Sequence, residues 1–189
     1  MTDAAVNGLF KKVSAALTDS LGNSGYEVLG MPGEGDTQEI HEGQTGGFLT
    51  AYIPFNKDGD RALLEMAVFE LFGLKVLRYD TTIFANITDE GVDSLTEVLE
   101  ELNMLCPLGH FCIYDGELYH RYSVIIPEFT ASKSDKICES VLLDIDTIRK
   151  ILAIYFSSVE EALEDDDEYL RPMRAEDTEQ GKTKRKKKK

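Results

Sequence analysis

The chain predicts an α+β fold: a helix, several antiparallel strands, a helix, a hairpin and a long helix, in that order. Three observations carry this reading. Apolar residues recur at helical spacing near both ends and once in the middle. Alternating β-branched and aromatic runs lie between them, and Asp115-Gly116 marks a tight reversal between two such runs. With 189 residues, 42% of them apolar, the chain has material for one core and little for a second. The expected division is a single domain over 1–165 and a disordered charged tail over 166–189.

The first helix is expected from Asp3 to Leu21, because Val6, Leu9, Phe10, Val13, Leu17 and Leu21 share one face, with Gly22 at the cap position. The Gly- and acid-rich stretch 23–47 is expected to hold short strands near Tyr26–Leu29 and Gln38–Glu42. Phe48–Phe55 alternates and ends in the turn signal "NKDGD". The next run is ambiguous, since Ala, Leu, Glu and Met favour helix by propensity. It leaves a hairpin turn and feeds "KVLRYDTTIFANI", so a strand is expected. Thr88 is the expected N-cap of the middle helix, with Asp89 and Glu90 in its first turn and Ile87 and Val92 as a staple. Leu95, Leu99 and Leu102 continue its apolar face. The last helix includes Ile148–Leu163. Its seam of Val141, Ile145, Ile148, Leu152, Tyr155, Val159 and Leu163 extends the pattern back toward Ser134.

The hairpin carries the soft ligands of the chain. A two-residue turn at Asp115-Gly116 pairs Tyr114 with Glu117, Cys112 with Tyr119 and His110 with Arg121. Alternation then puts His110, Cys112, Tyr114, Glu117, Tyr119 and Arg121 on one face. Phe111, Ile113, Leu118, His120, Tyr122, Val124 and Ile126 take the other. Zinc needs its ligands converging at just over ~2 Å, and this register sends Cys112 and His120 apart. The spacing C-x3-H-x-C-x7-H is also no usual finger pattern. Cys106 with His110 suggests a thiol nucleophile, but no third group or oxyanion donor accompanies them. The expectation is therefore Cys106 ending a helix, Cys112 as a small apolar filler, His120 at the core edge, and no metal, cofactor or catalytic residue.

Other segments read as surface. "GMPGEGD" lacks the Lys-Ser/Thr of a P-loop, and "EEALEDDDE" lacks the glycine turn and ligand spacing of a calcium loop. Three cysteines, Cys106, Cys112 and Cys138, form no disulfide framework and point to a reducing compartment. The N-terminus lacks the order of a signal peptide and no apolar run suffices for a span, so the cytoplasm is expected. Net charge is −15, yet the last eight residues, "KTKRKKKK", hold seven of the twenty basic side chains. Thirteen basic against thirty-five acidic residues remain, which leaves the body near −22 and attractive to basic partners. Lys184, Arg185, Lys186 and Lys187 are candidate contacts for nucleic acid or an anionic surface, with an affinity that would fall steeply with salt. The same run reads equally as a solubilising terminus or as a tail folded back on the acidic body.

The element order, together with "LNMLCPLGHFCIYDGELYHRYSVIIPE", resembles the YbjN-type domains and, more distantly, the type III secretion chaperones. The residues that carry the resemblance are Leu102-Asn103, Gly109-His110-Phe111, Asp115-Gly116 and the run from Tyr119 to Ile126. Cys106-Pro107 stands where that pattern has a polar linker, and the Gly-rich segment before Phe48 is longer. The resemblance implies helices covering one face of an antiparallel sheet, and it brings no catalytic residues. Secretion chaperones of this fold are small acidic dimers that hold an extended client segment. The expected function is a non-enzymatic protein-binding module, chaperone-like or regulatory, and a homodimer. Its candidate face is His110, Cys112, Tyr114, Tyr119 and Arg121. The alternative is a nucleic-acid or ribosome-associated accessory protein that works through the Lys-rich tail.

Overall fold

The computed structural model describes residues 3–19, 26–30, 44–56, 59–126 and 133–163. Their order is α1 (Asp3–Asp19), β1 (Glu27–Gly30), β2 (Gln44–Pro54), β3 (Arg61–Leu71), β4 (Leu74–Phe84), α2 (Asp89–Leu105), β5 (His110–Tyr114), β6 (Glu117–Ile126) and α3 (Ser134–Ala162). The six strands form one antiparallel sheet in the order β1-β2-β3-β4-β6-β5. The α+β class is as the sequence predicts. The strand expected at Gln38–Glu42, the cap at Gly22 and the tail lie outside the described residues.

The ambiguous run is a strand because its period is two. Ala62, Leu64, Met66 and Val68 are buried on one side of β3, while Leu63, Glu65 and Ala67 alternate with them. Helix propensity yields to this pairing with β2 and β4 on either side. At "NKDGD", the Asn56 side chain accepts from the Asp60 amide at 3.0 Å and donates to the Asp60 carboxylate at 2.8 Å, which closes the hairpin.

Pairing registers thread straight rows across the sheet. Ala51, Leu64, Thr81, His120 and Phe111 lie side by side, all buried. Leu49, Met66, Tyr79 and Tyr122 form the next row. All three helices cover this inner face. The α1 residues Val6, Leu9, Phe10, Val13 and Leu17 are buried there, and Asn7 accepts from the Gly47 amide of β2 at 2.9 Å. Phe156 of α3 packs against Phe55 and Phe84, with centroids 4.9 and 5.3 Å apart.

In α2, Thr88 accepts from the Gly91 amide at 3.1 Å, as its N-cap position requires, a contact of about 1 kcal/mol. Leu95, Leu99 and Leu102 are buried beneath it. The helix closes at Cys106, whose amide donates to the Leu102 carbonyl. No helix among the described residues is long and apolar enough to cross a membrane.

Candidate functional site

Among the described residues, no helix covers the opposite face of the sheet. Asp115 and Gly116 both adopt positive φ, +52° and +71°, as the tight turn demands. His110 consequently pairs with Arg121, Cys112 with Tyr119 and Tyr114 with Glu117. The structure thus brings His110, Cys112, Tyr114, Tyr119 and Arg121 together on this outer face. Tyr114 is 74% exposed, His110 is exposed, and Cys112, Tyr119 and Arg121 are half-buried.

Neighbouring strands extend the face beyond those five residues. One row runs Tyr52, Leu63, Thr82, Tyr119, Cys112, and the next runs Thr50, Glu65, Asp80, Arg121, His110. Asp80 sits between two guanidinium groups, with Arg121 Nε at 2.5 Å and Arg78 Nε at 2.8 Å. Only 14% of its side chain is exposed, so both pairs are partly shielded from water. Arg121 hydrogen-bonds the carboxylate, which raises its already high pKa further. Arg78 also lies 4.2 Å above the Phe69 ring, a cation–π contact that buries this phenyl group on the outer face. Tyr119 donates to the Glu117 carboxylate. Burial, and after it that carboxylate, pushes the phenol pKa up, so it stays a neutral donor.

Sequence reasoning reached the β5–β6 half of this face and missed the β2–β4 half. The available signal was the i,i+2 spacing of Arg78 and Asp80 within a strand, which places both side chains on one side. What could not be read was their meeting with Arg121, forty-one residues further along the chain than Asp80.

The free edge beside this face is blocked. Asn103 of α2 accepts from the Phe111 amide at 2.6 Å and donates to the Phe111 carbonyl at 2.9 Å. Its carboxamide imitates a strand partner and occupies the edge of β5 at that residue.

The soft ligands are differently placed from the expectation. His120, expected at the core edge, is completely buried, and Cys106 approaches His120 rather than His110. His110 lies across the sheet on the outer face, because the register alternates. His120 Nε2 is 2.9 Å from the Leu108 carbonyl and 3.9 Å from Cys106 Sγ. In the neutral ring that nitrogen carries the proton and donates to the carbonyl, so it has no lone pair for a thiol proton. The Cys106 thiol donates to the same carbonyl at 3.1 Å. Burial holds the imidazole below its ordinary pKa and pushes the Cys106 thiol up, so both are uncharged at neutral pH. A nucleophile needs the reverse. Gly109 shapes this corner: at φ +74°, a Cβ there would stand 2.5 Å from the Arg121 carbonyl and 2.9 Å from His120 Nε2.

Cys112 and His120 point to opposite sides of the sheet, and among the described residues no three His, Cys, Asp or Glu side chains gather to hold a metal ion. The tail residues Lys184, Arg185, Lys186 and Lys187 lie outside the described residues. No family model, curated protein or solved structure matches the chain.

Proposed function

We propose that this protein is a non-enzymatic binding module, chaperone-like or regulatory, that holds a protein segment on the outer face of its sheet. The observation that carries this reading is the bare face itself. It is aromatic and aliphatic along Tyr52, Leu63, Tyr119 and Cys112, charged along Glu65, Asp80 and Arg121, and covered by no helix among the described residues. A mixed face of this kind suits a polypeptide, which offers both apolar side chains and hydrogen-bonding groups.

Attachment across the face is favoured over strand addition. Asn103 caps the β5 edge at Phe111, and β1, at the other edge, is only four residues long. The homodimer belongs to the same proposal and draws on the same face. The apolar seam of α3 is not available for pairing, since Val141, Ile145, Ile148, Leu152 and Val159 are all buried in the core.

A photo-crosslinking residue placed at Tyr119 or Tyr114 tests the reading in cells. Discrete adducts at these two positions, and none at exposed Leu143 on the outside of α3, are expected. Equal labelling at Leu143, or no adduct at either tyrosine, would remove the sheet face from consideration. Light scattering on the purified chain then decides whether one adduct is a second copy.

A further inference from the structure

On the other side of the sheet, a groove of about 540 Å³ opens between the first turns of α3 and strands β4 and β6. This volume lies within the range of small-molecule sites, ~300–1,000 Å³. Leu77, Val124 and Ile126 line it from the sheet, and Ile137 and Val141 from the helix.

The polar groups sit at its two ends. Lys133 and Lys136 stand where α3 begins, and Asp144 stands eight residues after Lys136, about 12 Å further along the helix. Asp144 already accepts from the Tyr79 hydroxyl at 2.8 Å. Neither lysine takes part in an ion pair among the described residues. On a body with this excess of acid, two neighbouring ammonium groups with no ion-pair partner among the described residues, at an apolar mouth, mark an anion position. The positive end of the long α3 dipole lies there as well.

The walls decide what kind of anion fits. Among the described residues β4 is paired on both edges, and β6 is paired with β5 only as far as Arg121. The first-turn amides of α3 point out of the helix end rather than into the groove. Strand backbone groups lie in the plane of the sheet, so an extended peptide laid over the apolar floor of Leu77 and Val124 finds no backbone partner there. Each amide left unpaired would cost about 1–3 kcal/mol. A ligand with a plain hydrocarbon body leaves nothing unpaired. Its charged head belongs at the lysines, because the opposite end would set carboxylate against carboxylate.

We propose that this groove binds a medium-length aliphatic carboxylate, with its chain along Leu77, Val124, Ile126 and Val141 and its head between Lys133 and Lys136. This site is on the helix-covered side and stands or falls independently of the outer face.

Calorimetric titration of the full chain with dodecanoate, kept below its micelle concentration, tests the assignment. One saturable site is expected, weakened about tenfold or more in a Lys133→Gln/Lys136→Gln double variant. Ser140→Trp, on the exposed rim of the groove, should block it, and dodecyltrimethylammonium should not bind. Both lysines and Ser140 are exposed, so these variants leave the core intact. Non-saturable uptake, equal binding of the cationic amphiphile, or an affinity unchanged by loss of the two lysines would each overturn the proposal.

Discussion

Leu63 and Leu64 are the same residue type at adjacent positions of one strand, and they live in different environments. Leu64 points inward, has no exposed surface and packs beneath the helices. Leu63 points outward, half-buried between Tyr52 and Thr82. The same contrast holds across the sheet: the inner row contains a buried imidazole, and a neighbouring outer row contains the Asp80–Arg121 ion pair. A fold that needs only one face of its sheet for a core leaves the second free for selection by partners. The aromatic and charged residues on that second face are consequently the ones to test for function.

Truncation should separate the faces most clearly. Leu64→Ala is expected to cost about 3 kcal/mol, because the methyl groups leave a cavity that three helices and a sheet cannot fill. Leu63→Ala should cost about 1 kcal/mol or less, since the side chain is already half in water. Urea denaturation of the two variants measures both, and equal losses would mean that the outer face is covered in solution. A second pair of variants contrasts two glycines. Gly109 and Gly73 both have positive φ, +74° and +78°, but only Gly109 has backbone within reach of an added Cβ. Gly109→Ala should cost about 2 kcal/mol and Gly73→Ala about 1, the latter from conformation alone.

Much of this difference between faces was legible in the sequence. Asp115-Gly116 set the hairpin register, and period two then assigned His110–Tyr114, Glu117–Tyr122, Val124 and Ile126 to their faces. The α3 seam was legible for the same reason, since local spacing determines it. Contacts between elements distant in sequence were not. Nothing local to His120 announces the Leu108 carbonyl, and nothing local to Asn103 announces that it will bond Phe111 on both sides. The helix-like composition of 61–71 misleads until the two neighbouring strands are in place. Periodicity reports which way a side chain points, and the chain's return path decides what it meets.

The inner row also predicts how stability responds to acid. His120 is held neutral by burial, so its folded pKa lies below the ordinary value of about 6.5. The unfolded chain takes up the proton first as pH falls, so stability present above about pH 6.5 is lost below it. The slope can reach about 1.4 kcal/mol per pH unit for this one proton. Asp144 acts in the opposite sense at lower pH. Burial raises its carboxyl pKa, so the folded chain gains that proton before the unfolded one. The interval below about pH 6.5 is therefore where His120 lowers stability, with Asp144 opposing it wherever its folded carboxyl takes up a proton. Urea midpoints of the intact protein should fall across that interval, and those of His120→Gln should fall less. Parallel curves for the two proteins would assign the acid sensitivity elsewhere.

A small effect on stability is expected on the outer row. Asp80→Asn removes the charge shared by Arg78 and Arg121 but leaves an amide of the same shape between them. Both guanidinium groups are about a third exposed, at 31% and 38%, so water compensates much of the loss. The expected cost is about 1 kcal/mol, shrinking in high salt as surface pairs do. Binding should respond more than folding. Without Asp80 the centre of the face becomes one charge more positive, which disfavours a basic segment and favours an acidic one. A variant that folds with near-native stability yet shifts partner affinity would establish the outer row as a recognition surface. If Asp80→Asn instead costs as much as Leu64→Ala, the ion pairs hold the sheet together and the contrast between the faces fails.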